Sequence, residues 1–195
     1  ELRTCSGPRS SERPREATFA RSSAFSPRMD SFLELKLALF RMLGKDAWEM
    51  LAVTGEALVL LPAAAIIAGR LWLRGSRAEA LSWGTSLLLC IATVGLMKLS
   101  IGDFKWTLYG HTFNAKGFPS GHAAMATVFW AGLALIARDR LVGAMLLVPI
   151  PLASLSVLVL WWHHTLDIVA GLAIGAAALL PLALRVPRRS PRSAA

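Results

Sequence analysis

The sequence predicts an all-α, polytopic membrane helix bundle of about five transmembrane helices, preceded by an N-terminal amphipathic helix lying in the interface. Three observations predict it. Of the 195 residues, 55% are hydrophobic and only 17% are charged, whereas a soluble domain carries roughly a quarter of its residues charged. The apolar residues fall into blocks of about 15 to 25, the length that crosses a bilayer. The basic residues gather at the ends of those blocks, where they act as topology signals. The formal charge of +9 is therefore a membrane feature, and no nucleic-acid partner is expected.

Residues 1–28 are rich in Ser, Arg and Pro and have no apolar period. They are expected to be a disordered leader or a mis-set start, with Met29 opening the ordinary sequence. The stretch Ser31–Leu43 has apolar residues at helical spacing interrupted by Glu34, Lys36 and Arg41. It is too short and too charged to span, and suits an interfacial helix. Five spans follow, at about Trp48–Leu73, Ala80–Leu99, His122–Ala137, Leu141–Trp162 and Leu166–Leu184. The first contains Pro62 and Glu56. An intramembrane carboxylate is a functional candidate by default; the structural alternative is a hydrogen bond to a neighbouring helix. The membrane domain is expected over 29–187, with a basic cytoplasmic tail over 188–195. Cys5 and Cys90 lie in unlike settings, so neither a disulfide framework nor a zinc ribbon is indicated.

Nine arginines (Arg70, Arg74, Arg77, Arg138, Arg140, Arg185, Arg188, Arg189 and Arg192) fall on one side if the five spans alternate. That side is expected to be cytoplasmic. The loop Ser100–Gly121 and the corner between spans four and five then face outward, and with them nearly all the reactive side chains. Lys98 closes span two. Lys105, His111 and Lys116 lie in the loop, and Ser120 and His122 open span three. His163 and His164 close span four, and Asp167 opens span five.

The stretch Phe118-Pro119-Ser120-Gly121-His122 has the makings of a phosphate cradle. Pro119 and Ser120 suit a helix start, glycine lets a ligand approach the backbone, and free N–H groups at a helix N-terminus attract anions. The alternative is a plain capped helix. His163 and Asp167 are four apart, neighbours on a helical face if the helix is continuous there. A carboxylate on one ring nitrogen fixes the tautomer and leaves the other nitrogen to attack phosphorus. His164 is three from Asp167, so spacing does not choose between the two histidines. A rival metal set of His122, His163 and Asp167 is disfavoured by the surrounding lysines, which repel a cation and favour an anion. No metal and no cofactor are expected.

With these residues in order, the sequence resembles the type-2 phosphatidic acid phosphatase superfamily of membrane lipid phosphate phosphatases. That family carries Lys-x6-Arg-Pro, then Pro-Ser-Gly-His, then Ser-Arg-x5-His-x3-Asp. Here the second block is intact at Pro119–His122. Lys98 matches the first block, and Ser156, His163 and Asp167 match the third. The resemblance implies that His163 is the nucleophile, Asp167 orients it, and His122 protonates the leaving alkoxide. It implies phosphate binding by Lys98, Lys105, Ser120 and the Gly121 amide, without a metal. The substrate would be a membrane lipid phosphate, and the site would face the extracytoplasmic side of a cell (inner) membrane. Two departures stand out. Lys105 and Trp106 replace the Arg-Pro of the first block, and Val157 replaces the arginine of the third. Lysine does not grip phosphate bidentately as arginine does, and Val157 removes a cation outright. Val157→Arg is expected to raise activity if that cation limits it. The sphingolipid-synthase branch also lacks that arginine, and its His-Tyr-Thr-x-Asp is similar to His163–Asp167. This makes a phospho-headgroup transferase the alternative, and a lipid-binding protein without turnover the third reading.

Overall fold

In lipid the backbone has no water to satisfy its N–H and C=O groups, so each apolar block of this chain folds as helix. The computed structural model describes the backbone of residues 27–101, 105–108, 111–114 and 117–185, and the side chains of 31–101 and 117–185. The expected leader over 1–28, apart from helical Pro27 and Arg28, and the expected tail over 188–195 lie outside these residues.

Helix α1 runs Pro27–Ala52 and kinks at Gly44, whose φ of 74° and ψ of 166° leave helical space. It is longer than the interfacial helix expected from the charges and takes in Trp48, the expected start of span one. That span is not one helix. A 3-10 turn at Val53–Gly55 and an extended Glu56 (φ −74°, ψ 121°) separate α1 from α2, Ala57–Leu73, and the chain bends by 42° there. At this break the chain crosses the backbone of His122. A Cβ on Gly55 would stand 2.8 Å from the carbonyl oxygen of His122, so only glycine lets the turn pass this closely.

Three further helices are long and apolar enough to cross a membrane. They are α3 (Arg77–Ile101), α5 (Arg140–Val159) and α6 (Thr165–Arg185), and the bent α1–α2 pair makes a fourth when counted as one. Between α3 and α5 lies α4, a shorter apolar helix at Gly121–Ile136 with a π-helical middle at Thr127–Ala131. The loop before α4 contains a two-stranded antiparallel hairpin, β1 (Lys105–Leu108) with β2 (His111–Asn114), in which Lys105 pairs with Asn114. This hairpin has no counterpart among the sequence expectations. The remainder of the described chain is an all-α membrane bundle.

Helix α4 is the centre. Ala123, Ala124, Val128 and Phe129 are almost wholly buried. One apolar cluster joins it to α2, α3 and the end of α6 through Leu60, Trp83, Leu87 and Leu182. A second joins it to α1, α5 and the start of α6 through Trp48, Ala52, Val157 and Ile168. Trp83 donates its indole N–H to the Val128 carbonyl at 3.3 Å, inside the π-helical stretch. Gly132 makes room for it, since a Cβ there would overlap the indole. Helix α6 lies against α4 on bare backbone. A Cβ on Gly171 would collide with the Ser120 carbonyl, and one on Gly175 would come within 2.6 Å of the Ala124 carbonyl. This is the small-xxx-small contact of membrane helices, where close approach replaces the hydrophobic drive absent in lipid. Leu81, Leu88, Leu96 and Leu99 of α3 remain exposed, a surface suited to acyl chains.

Candidate active site at the helix ends

The start of α4 is set by Ser120. Its extended backbone (φ −66°, ψ 113°) breaks the helix, and its hydroxyl accepts from Ala123 N at 3.4 Å as the cap. Its own N–H donates to the Asp167 carbonyl at 2.9 Å, tying the start of α4 to the start of α6. Ser120 is fully buried, and its side chain does not line the cavity described below. Gly121 does line it, and its missing Cβ would sit 4.0 Å from Lys98 Nζ. His122 follows, one residue into the helix.

The corner between α5 and α6 carries the other histidines. Helix α5 stops at Val159, and the chain turns through Trp161, whose φ of 63° is left-handed. Trp162 N and His163 N both donate to the Val157 carbonyl, at 3.0 and 3.2 Å, which closes the turn. His163 therefore precedes α6, with His164 as the residue that caps it. The i,i+4 helical face inferred from spacing is not what pairs His163 with Asp167; a helix start does. Asp167 Oδ2 accepts from His164 N at 2.8 Å and stands 3.6 Å from Nδ1 of both His163 and His164. Burial separates the two rings that spacing left equivalent. The His163 side chain is 10% exposed and lines the cavity, while that of His164 is 69% exposed and does not. His163 Nδ1 is buried, a step beyond hydrogen-bond length from Asp167, a spacing that tightens in many sites once substrate binds. Gly117 lies beside the pair, where a Cβ would stand in ordinary van der Waals contact, 3.4 Å from Asp167 Oδ2 and 3.5 Å from His163 Nδ1.

These ends enclose a cavity of about 390 Å³, a volume that suits a small ligand or headgroup. Its polar end is formed by Glu56, Lys98, Gly121, His122 and His163, and its apolar wall by Leu61, Cys90, Ile91, Val94 and Met125. The rings of His122 and His163 have centroids 6.3 Å apart at 62°. Glu56 Oε2 lies 2.9 Å from His122 Nε2. Of the expected residues, the structure thus gathers Lys98, Gly121, His122 and His163 around one hollow, with Asp167 directly behind His163. The side chains of Lys105, His111 and Lys116 lie outside the described residues. Val157, where a cation was missed, is fully buried in the apolar cluster with Trp48 and Ala123. Among the described residues no group of three or more His, Cys, Asp or Glu side chains is arranged to hold a metal ion.

Sequence reasoning did not anticipate Gly55, Gly171 or Gly175 as the residues that let these ends converge. The four-residue step from Gly171 to Gly175 inside an apolar block was the available signal. Glu56 was visible as an intramembrane carboxylate, but its partner was not.

Fold and site together define a helical membrane protein in which separate helix ends bring two histidines, each beside a carboxylate, to a lysine and a helix N-terminus. The family model of the PAP2 superfamily matches residues 79–191, more than half of the chain, and the chain belongs to that superfamily. Membership makes it a membrane protein of phosphatase type, with lipid phosphates as the general substrate class. An uncharacterized 22.5 kDa protein in cps region of Klebsiella pneumoniae is 32% identical over 151 residues, which cover 74% of this chain and 71% of that protein. No solved structure matches the chain.

Proposed function

We propose that the protein is an integral membrane lipid phosphate phosphatase that hydrolyses a lipid phosphomonoester or diphosphate through a phosphohistidine on His163. The observation that carries this reading is the meeting of His163, backed by Asp167, with His122 in one cavity that also holds Lys98 and the Gly121 backbone. A reacting pair needs about 3–3.5 Å between nucleophile and phosphorus, and the acid needs about 2.6–3.2 Å to the leaving oxygen. Rings 6.3 Å apart are near enough to serve a single phosphoryl group from two sides.

In the proposed cycle Asp167 holds the proton of His163 on Nδ1, and Nε2 attacks phosphorus. The ester P–O bond breaks as His122 gives its proton to the lipid alkoxide. Water then attacks the phosphohistidine, loses a proton to His122, and the P–N bond to His163 breaks. Lys98 and the amides at the start of α4 neutralise the phosphoryl oxygens, which is most of what phosphoryl transfer asks of a protein. Lys105 joins them on the strength of the motif resemblance, while Ser120 serves by capping α4. The headgroup enters at the helix ends, and the lipid tail lies along the wall of Leu61, Ile91 and Val94. Arg70, Arg74, Arg77, Arg138, Arg140 and Arg185 stand at the opposite helix ends. That asymmetry supports a site on the extracytoplasmic side of a cell membrane.

The test is a panel of lipid phosphates and phosphodiesters given to the purified protein, following both phosphate release and new lipid formation. Phosphate release that His163→Ala abolishes, with the fold retained, is the expected result. A headgroup appearing on an acceptor lipid without phosphate release replaces the phosphatase with the transferase. Binding without either product leaves a lipid-binding protein.

A further inference from the structure

We infer that Glu56 is a positioning residue for His122, so that the site contains two histidine–carboxylate pairs. The inference rests on the proposed phosphatase reading and adds a residue from outside the stretch that the family model matches. Glu56 is the extended residue between the 3-10 turn and α2. It is held at the cavity because Gly55 crosses the His122 backbone in near contact. Its Oε2 lies 2.9 Å from His122 Nε2, and both side chains line the same hollow with Lys98 and His163.

A carboxylate beside a phosphate site repels the substrate, so its presence asks for a chemical reason. The pairing supplies one. The carboxylate accepts the Nε2–H of His122 and stabilises the ring in its doubly protonated form, which leaves Nδ1–H as the proton for the leaving oxygen. When the ester P–O bond breaks, that proton moves to the alkoxide and the ring becomes neutral, still tied to Glu56 through Nε2–H. When water attacks the phosphohistidine, its proton returns to Nδ1. Glu56 thus keeps one face of the ring fixed through both halves of the cycle and makes the second proton easier to hold.

This role has a signature that a structural role lacks. An alkyl oxide needs a proton to depart, and a p-nitrophenyl oxide does not. Glu56→Gln keeps the size and an acceptor oxygen but removes the charge. The experiment measures kcat/KM for phosphate release from dodecyl phosphate and from p-nitrophenyl phosphate by wild type, Glu56→Gln, Glu56→Asp and His122→Ala; this quantity covers the steps up to departure of the leaving group and leaves out water's attack on the phosphohistidine, which the two substrates share. The ratio of the two rates does not depend on how much of a sample is folded. Glu56→Gln is expected to lower the alkyl rate about tenfold or more, a part of the roughly 10²–10⁴-fold that general acid catalysis supplies, and the aryl rate by less than about threefold. Glu56→Asp, which keeps the charge, is expected to hold the ratio nearer to wild type. Adding Glu56→Gln to His122→Ala is expected to cost nothing further, because the two act as one unit. Equal losses on both substrates, a larger ratio change in Asp than in Gln, or additive losses in the double variant overturn the inference and leave the phosphatase reading standing. No phosphate release by wild type overturns both.

Discussion

Val157→Arg restores the arginine that the motif comparison finds missing, and the packing around Val157 predicts a loss where the motif, if that cation limits activity, anticipates a gain. Val157 has no exposed surface, and its cluster consists of Trp48, Ala52, Ala123, Val159, Leu160 and Ile168. None of these carries a carboxylate. An uncompensated buried charge costs about 3–5 kcal/mol. That is a large share of a total stability of about 5–15 kcal/mol. For a chain of this length each kcal/mol moves the midpoint by about 2–4 °C, so Tm falls by roughly 6–20 °C and turnover falls with it. The assay is thermal unfolding of the detergent-purified variant together with lipid phosphate release. A variant with wild-type Tm and faster release refutes the reasoning. It would mean that the position opens onto the phosphate and that α1 does not seal it.

The remaining predictions concern the site and its supports. His164→Ala is expected to keep phosphate release within about threefold of wild type, because the exposed ring does not line the cavity and the Asp167 contact that matters comes from its backbone N–H; loss of activity as complete as in His163→Ala exchanges the two assignments. Gly171→Val forces a branched side chain against the Ser120 carbonyl; overpacking of this kind costs about 1–3 kcal/mol, and both Tm and turnover are expected to drop, whereas an unchanged Tm removes the close α4–α6 contact from the account. Chelators are expected to leave turnover unaltered. Strong inhibition reversed by added metal would revive the set of His122, His163 and Asp167 as ligands.

The apolar blocks were legible because bilayer length and hydropathy fix them with little help from tertiary packing, and α3, α5 and α6 fall close to their expected bounds. The break at Glu56 was not legible. Val53, Thr54 and Gly55 carry no charge to interrupt the block, and the backbone that the chain crosses at this point belongs to His122, far along the chain. The site shows the same division. The residue types and their order pointed to His122, His163 and Asp167, but spacing could not say whether a helix was continuous at the α5–α6 corner. The left-handed Trp161 is an unusual conformation for a large residue, and Lys36 packing 3.6 Å over its ring is a long-range partner that no local pattern announces. Val157 shows the opposite failure. A motif position carries an expectation of function, yet the apolar neighbours that α1 supplies turn it into core.

The two histidine–carboxylate pairs are built differently, and the difference fits the cycle proposed for them. Asp167 is buried and fixed, with its carboxylate taken up by the His164 backbone N–H and its carbonyl by Ser120 N. A nucleophile must keep one tautomer throughout, and a tied carboxylate serves that. The Glu56 side chain is 38% exposed and sits at a bend. The pair that it forms with His122 is the shorter one, 2.9 Å against 3.6 Å between Asp167 and His163. In the proposed cycle the His122 ring gains and loses a proton at Nδ1 while Glu56 stays on Nε2, and the His163 ring keeps one tautomer in front of Asp167. Asp167 lies in the first turn of a packed helix, and Glu56 at a break between two helices.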